Sequence, residues 1–276
     1  MKVQLEKVVR YYELYSPELN NFNLRVYAYN SKNFASLAKL LREDYEPIAL
    51  QGGWFEIKEE QLKKDPDTLY GGGAAGYGRD GVPVLFYYFN QIDITRPDLK
   101  QVFSHELVHV YQRYLLGNMS KLTCWMREGG ATYLGYVMGT ESDSAIENTW
   151  MNPFIIAPDE PTISGFSKMT RESWVNWLID QESKSVYTCD EYAGYVYGSL
   201  VWNYLYYKYG VDKASEFMIN TGKFKPSNPN SAPSPTDAWK KSYEDAFGIK
   251  PIDDYGNIAD YLLRYRDYAL SKGWIK

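Results

Sequence analysis

The chain has 276 residues and only two histidines, and both lie in one short stretch, Ser104-His105-Glu106-Leu107-Val108-His109. Two histidines four residues apart on a helix stack one turn above the other on the same face. That spacing lets two imidazoles reach one tetrahedral zinc ion, with Glu106 beside them to hold and deprotonate a water on the metal. A catalytic zinc site takes three protein ligands, and with no histidine left the third must be a carboxylate or a thiolate. Glu128 follows after eighteen intervening residues, enough to close one helix, turn and bring a carboxylate to the same ion. Cys124 is the weaker thiolate candidate.

The element that must carry the motif is a helix over 95–116. Thr95 and Asp98 form a capping box, Pro97 occupies the first turn and Gly117 stops it. Phe103, Leu107, Val110 and Tyr114 recur at helical spacing and are expected to face the core. A second helix runs from about Trp125 to Met138, carrying Glu128 near its start. Upstream, residues 1–22 hold a polar helix or an extended arm. Residues 23–29 and 83–89 read as strands, and 32–44 as a helix with Phe34, Leu37, Leu40 and Leu41 inward. Trp54 to Ile57 reads as a short strand and 59–64 as a charged, solvated turn or helix end. The stretch Gly71-Gly72-Gly73-Ala74-Ala75-Gly76-Tyr77-Gly78 lacks the ending of a phosphate loop and opens no helix. Its small residues suit an edge strand or cleft rim instead.

Downstream, 151–168 carries three prolines and reads as a loop that could wall a cleft. Helices follow over 173–181, 191–209 (stopped by Gly210), 212–220, 237–246 and 257–271, with a Pro/Ser/Asn-rich loop at 221–236. The expected fold class is therefore α+β: an N-terminal part (1–92) with a mixed sheet, then 93–276 with the metal-binding helices and a mostly helical back half.

Composition narrows the class further. A net charge of −5 with no basic stripe gives no case for nucleic acid. No run of about eighteen apolar residues suggests a membrane span. The 27 tyrosines and 8 tryptophans more often serve packing with a wet edge than ligand binding. Cys124 and Cys189 are either two separate thiols or one disulfide, and the second fits an oxidising compartment. The N-terminus lacks a signal-peptide core, so the chain either stays inside the cell or has lost a leader. The acidic, aromatic-rich composition leans towards export.

His105-Glu106-x-x-His109, eighteen residues, then Glu128 within Trp125-x-x-Glu128-Gly129-x-Ala131-x-Tyr133, resembles the gluzincin zinc metallopeptidases, and more closely their thermolysin-related, peptidase MA-like group. The segment Tyr195-Val196-Tyr197-Gly198-Ser199, continuing through Trp202 to Gly210, is similar to the Tyr-x-x-Gly helix of those families. The likeness covers roughly residues 70–265. It implies a zincin-like fold, His105, His109 and Glu128 as ligands of one catalytic zinc ion, Glu106 as general base, and Tyr195 as the hydroxyl that stabilises an oxyanion. The implied activity is hydrolysis of a peptide or protein substrate. No Gly-x-Met-Glu-Asn segment for gripping a free amine is present, which favours an endopeptidase over an aminopeptidase. The glycine-rich 71–78 stretch or the 83–89 strand is the candidate edge for pairing an extended peptide. Two other readings stand beside this one: an inactive, peptide-gripping relative, and a zinc amidase acting on something other than peptides.

Overall fold

The computed structural model describes residues 2–16, 19, 22–29, 40, 60, 64, 72–78, 80–88, 97–116, 122–139, 165–184, 192–223 and 237–275. They are mostly helical, with a small sheet, so the fold is α+β at the coarse level. Helix α1 spans Lys2–Tyr15, and strands β1 (Arg25–Tyr29), β2 (Gly72–Tyr77) and β3 (Pro83–Tyr88) follow. Helix α2 spans Pro97–Leu116 and carries the histidine motif. A π-helical turn, Trp125–Gly129, leads directly into α3 (Gly130–Gly139). The remaining helices are α4 (Arg171–Gln181), α5 (Tyr192–Tyr209), α6 (Val211–Asn220), α7 (Ala238–Phe247) and α8 (Pro251–Ser271).

The three strands form a mixed sheet in the order β1-β3-β2, with β1 parallel and β2 antiparallel to β3. The edge-strand reading of 71–78 therefore fits β2. It does not fit 83–89, because β3 is paired on both sides and has no free ladder to offer. A strand reading Pro-Val-Leu-Phe-Tyr-Tyr is apolar along both faces, as a central strand should be.

Helix α2 is buried on nearly every side, which suits a helix at the centre of a fold rather than on its surface. Phe103, Leu107 and Val110 are in the core as expected, but Tyr114 is 44% exposed. The last turn of α2 keeps Leu116 in the core but turns Tyr114 outward. Tyr111 takes the inner position and stacks on Tyr12 of α1 (centroids 4.1 Å apart), while Tyr114 meets the edge of Phe22. Leu40 is also exposed, contrary to its expected inward face. The capping residue Thr95, most of the 32–44 helix, the 54–57 strand, and residues 151–164 and 224–236 lie outside the described residues.

Several helical boundaries differ from those read in the sequence. Residues 2–15 are helix rather than an extended arm. Helix α4 begins at Arg171, because Thr170 and Ser173 form a reciprocal capping box. Helix α8 begins at Pro251, six residues before the expected start. Proline suits the first helical position, and Asp253 and Asp254 follow in the first turn, where negative charge is favoured. Phe166, assigned to a loop, is fully buried against Trp174 and Tyr197. Thr221–Lys223 forms a short 3-10 turn.

The aromatic residues build the core. Trp125, Trp174, Trp202 and Trp239 are all fully buried, and Trp125 lies within ring-contact distance of both Trp202 and Trp239. Cys124 is disulfide-bonded, which removes the separate-thiol reading and with it Cys124 as a metal ligand. The only other cysteine, Cys189, lies outside the described residues. Among the described residues no helix is long and apolar enough to cross a membrane.

Candidate metal centre

Two elements bring the third member of the group, Glu128, to the histidines. Helix α2 presents His105 and His109 one turn apart, and α3, which packs most extensively against it, is entered through the π-helical turn that holds Glu128. An extra residue in the turn displaces backbone partners, a cost usually tolerated at functional sites. Here side chains supply donors: Trp202 Nε1 donates to the Met126 carbonyl and Gln112 Nε2 to the Arg127 carbonyl, both at 3.2 Å.

Helix α5 is held against this turn by backbone contact. A Cβ added to Gly129 would lie 2.3–2.8 Å from backbone atoms of Gly198, and one on Gly198 would lie 2.7 Å from the Trp125 carbonyl oxygen. Neither position can carry a side chain without parting the helices. A turn earlier on α5, Gly194 leaves the space that Cys124 Sγ occupies. This crossing sets Tyr195 at the site. Its ring lies parallel to that of His105, with the centroids 5.9 Å apart. Burial, with the adjacent Glu128 carboxylate, raises the Tyr195 pKa well above the ordinary phenol value, so it is a neutral donor at physiological pH.

His105, His109 and Glu128 are all buried, and their ligand atoms converge. His109 Nε2 is 3.0 Å from His105 Nε2 and 3.1 Å from Glu128 Oε2, and His105 Nε2 is 3.5 Å from the same oxygen. Ligand atoms bonded tetrahedrally to zinc at 2.0–2.1 Å would stand about 3.3 Å apart, so the triangle has the right size.

The protonation pattern also fits a cation. Gln112 Nε2 donates to the Arg127 carbonyl, which turns its Oε1, a pure acceptor, towards His109 Nδ1 at 2.8 Å. In the neutral form His109 would then carry its proton on Nδ1 and turn a lone pair on Nε2 towards a carboxylate oxygen. His105 Nδ1 is 3.3 Å from Thr132 Oγ1, which can accept its proton in the same way. Outward hydrogen bonds of this kind are what metal-ligating histidines use to fix their tautomer. With both imidazoles neutral, the three converging acceptors would be satisfied by a positive charge between them. The residues therefore fit a divalent metal ion.

Glu106 stands on the other side of His105 and lines a cavity of about 220 Å³ together with Gln101, Val102, His105, Thr132, Tyr136, Tyr195 and Val196. Burial pushes its pKa up to about 7, and the charge of Glu128 adds to the rise against the opposing effect of His105 and Arg127. Glu128, by contrast, is held well below the usual carboxylate range: burial alone would raise it, but His109, His105 and Arg127 outweigh that. One site thus contains a carboxylate that stays charged and one poised to exchange a proton. Strand β2 passes directly over Glu106. A Cβ on Gly73 would fall 2.4 Å from Glu106 Cγ, so only glycine admits the glutamate here.

All five residues proposed from the sequence, His105, Glu106, His109, Glu128 and Tyr195, are brought together around this cavity or its metal-sized triangle. Three that were not singled out, Gln112, Arg127 and Thr132, complete the surroundings. A signal for them was present: Gln112 is three residues after His109 and Thr132 four after Glu128, each one helical turn from a ligand. Compared with known proteins, the chain matches no family model, no curated protein and no solved structure.

Proposed function

We propose that the protein is a zinc-dependent metallopeptidase of the gluzincin type, with a zincin-like fold, acting on peptides or proteins as an endopeptidase. The observation that carries this reading is the buried triangle of His105 Nε2, His109 Nε2 and Glu128 Oε2, beside a cavity lined by Glu106 and Tyr195. A site serving only structure needs four closed ligands and no base. Zinc bound to the three side chains would polarise a carbonyl and lower the pKa of water towards ~7.

The chain's own residues then divide the work. His105, His109 and Glu128 hold the ion, with Thr132 and Gln112 orienting the two imidazoles. Glu106 takes the proton from the attacking water and passes it to the leaving amine, the usual double duty of a carboxyl in acid–base catalysis. Tyr195, neutral and already beside the site, donates a hydrogen bond to the oxyanion as charge develops there. An extended peptide would add to the edge of β2, which no other described strand covers and which runs past Glu106, and so lay its scissile bond at the proposed metal site. A substrate side chain would enter the cavity between Val102, Tyr136 and Val196.

The test is cleavage of unstructured casein by zinc-loaded protein, its abolition by 1,10-phenanthroline and its restoration by added zinc. Intact casein, with capped amides hydrolysed instead, would move the reading to a non-peptide amidase; intact casein that nonetheless binds the protein would leave the peptide-gripping relative. The Tyr195→Phe variant is expected to lose about 10²–10³-fold in kcat, as loss of one oxyanion donor does, with KM little changed. Steady-state kinetics on a fluorogenic peptide checks this, and an unchanged kcat would remove Tyr195 from the chemistry.

A further inference from the structure

We infer that Arg127 is a positioning residue that restricts Glu128 to contact the metal through one oxygen; the inference rests on the metal-dependent reading of this site. The two oxygens of Glu128 face different partners. Oε2 points to the histidine nitrogens, at 3.1 Å from His109 Nε2 and 3.5 Å from His105 Nε2, while Oε1 is 3.2 Å from Arg127 Nε. The Glu128 side chain is 4% exposed and that of Arg127 is 21%, so water screens the pair little. A carboxylate free to turn can offer both oxygens to a cation. Oε1 forms an ion pair with the guanidinium, short of an aligned hydrogen bond, and the positive charge draws it away from the histidines, so Glu128 offers Oε2 to a cation.

Arg127 is itself fixed. Its backbone N–H donates to the Thr123 carbonyl at 3.1 Å, and its own carbonyl accepts from Gln112 Nε2, whose Oε1 accepts from His109 Nδ1. The result is a closed circuit, His109 to Gln112 to Arg127 to Glu128 and back to His109. Two ligands on different helices are locked together by two residues that do not touch the metal. Holding Glu128 to one oxygen keeps the ligand number at three and leaves a position for water and substrate, which a two-oxygen carboxylate would crowd.

The experiment compares wild type with Arg127→Met and Arg127→Lys. Zinc affinity is measured by competition with a fluorescent chelator, and the visible absorption of the cobalt(II)-loaded proteins reports coordination number. The expected result for Arg127→Met is a zinc dissociation constant raised about 10–100-fold, the usual effect of losing a group that orients a ligand. Its cobalt bands should weaken as Glu128 adds a second oxygen. Arg127→Lys restores the charge on a flexible stem and should recover part of the affinity. A merely structural role would lower thermal stability without altering the cobalt spectrum. Arg127→Met with the wild-type spectrum and a zinc affinity within about twofold overturns the inference. Should that variant fail to fold, Arg127→Gln is judged by the same two readouts. Wild type that takes up neither metal overturns the metal reading and this inference together, an outcome distinct from a loaded wild type and an unaffected Arg127 variant.

Discussion

Glu106→Gln is expected to lower the rate of peptide cleavage by about 10²–10⁴-fold while leaving metal content unchanged. Glutamine has the same length and still hydrogen-bonds water, so it fills the space that Gly73 leaves against the side chain at no steric cost. What it cannot do is accept and return a proton. Glu106 is not one of the three converging ligand residues, so removing its charge should not release the ion. The loss should fall on kcat, because proton transfer occurs in the transition state and not in substrate binding. Single-turnover kinetics on a fluorogenic peptide, with zinc measured in the same sample, separates the two effects. A loss under tenfold in a fully loaded variant would mean that another group does the proton transfer.

Asp254→Asn is expected to destabilise the fold by about 3–5 kcal/mol at neutral pH, as breaking a buried ion-paired carboxylate does. Asp254 is fully buried at the first turn of α8 and collects five donors. Oδ1 accepts from Tyr204, Lys208 and Asn257 at 2.8–2.9 Å, and Oδ2 from Tyr209 and Tyr243 at 2.7 Å. These come from α5, α7 and α8, so a single carboxylate ties the three helices of the back half together. An amide in its place loses the charge that Lys208 pairs with and replaces one acceptor oxygen by an NH2, so the hydroxyls of Tyr209 and Tyr243 would have to turn from donors to acceptors.

The pH dependence follows from the same contacts. Burial alone would raise the pKa of Asp254, but the hydrogen bonds from Lys208, Asn257, Tyr209 and Tyr243 outweigh it and hold the carboxyl below the usual range. A depressed folded pKa gives stability that is fully present above the unfolded value of about 3.9 and is lost as pH falls through the folded one. Urea unfolding of wild type and Asp254→Asn at pH 7, 5 and 3 should therefore show a constant gap down to about pH 4 and a narrowing gap below it. A gap that stays the same at pH 3 would show that the charge of Asp254 is not what stabilises the junction.

The three converging residues were legible because metal chemistry restricts residue type and helical geometry restricts spacing. Two histidines four apart can share an ion only on a helix, and α2 is that helix. Tyr195 was legible only through its neighbour Gly198, and the physical reason is now plain: Gly198 lets α5 touch the backbone of the Glu128 turn, and Tyr195 stands one turn earlier. The rest depended on contacts between residues far apart in the chain. Nothing in the run around Asp254 announces that three tyrosines and a lysine from elsewhere will meet there. The central place of β3 depends on which strands pair with it, and apolar alternation alone does not order a sheet. The π-helical turn has no periodicity of its own, being one residue longer than the turn the surrounding pattern implies. Tyr114 and Leu40 fit an apolar stripe yet are exposed, since helical periodicity marks a face and not the length over which that face is covered.

The most direct test is zinc stoichiometry by elemental analysis, read together with casein cleavage, for wild type and His109→Ala. His109 Nε2 is the ligand atom nearest both others in the triangle, and its loss leaves only His105 and Glu128. One zinc per wild-type chain with cleavage, and neither in a folded His109→Ala, is the predicted result. Wild type that binds no zinc when it is supplied, or His109→Ala that keeps both zinc and activity, would contradict the account.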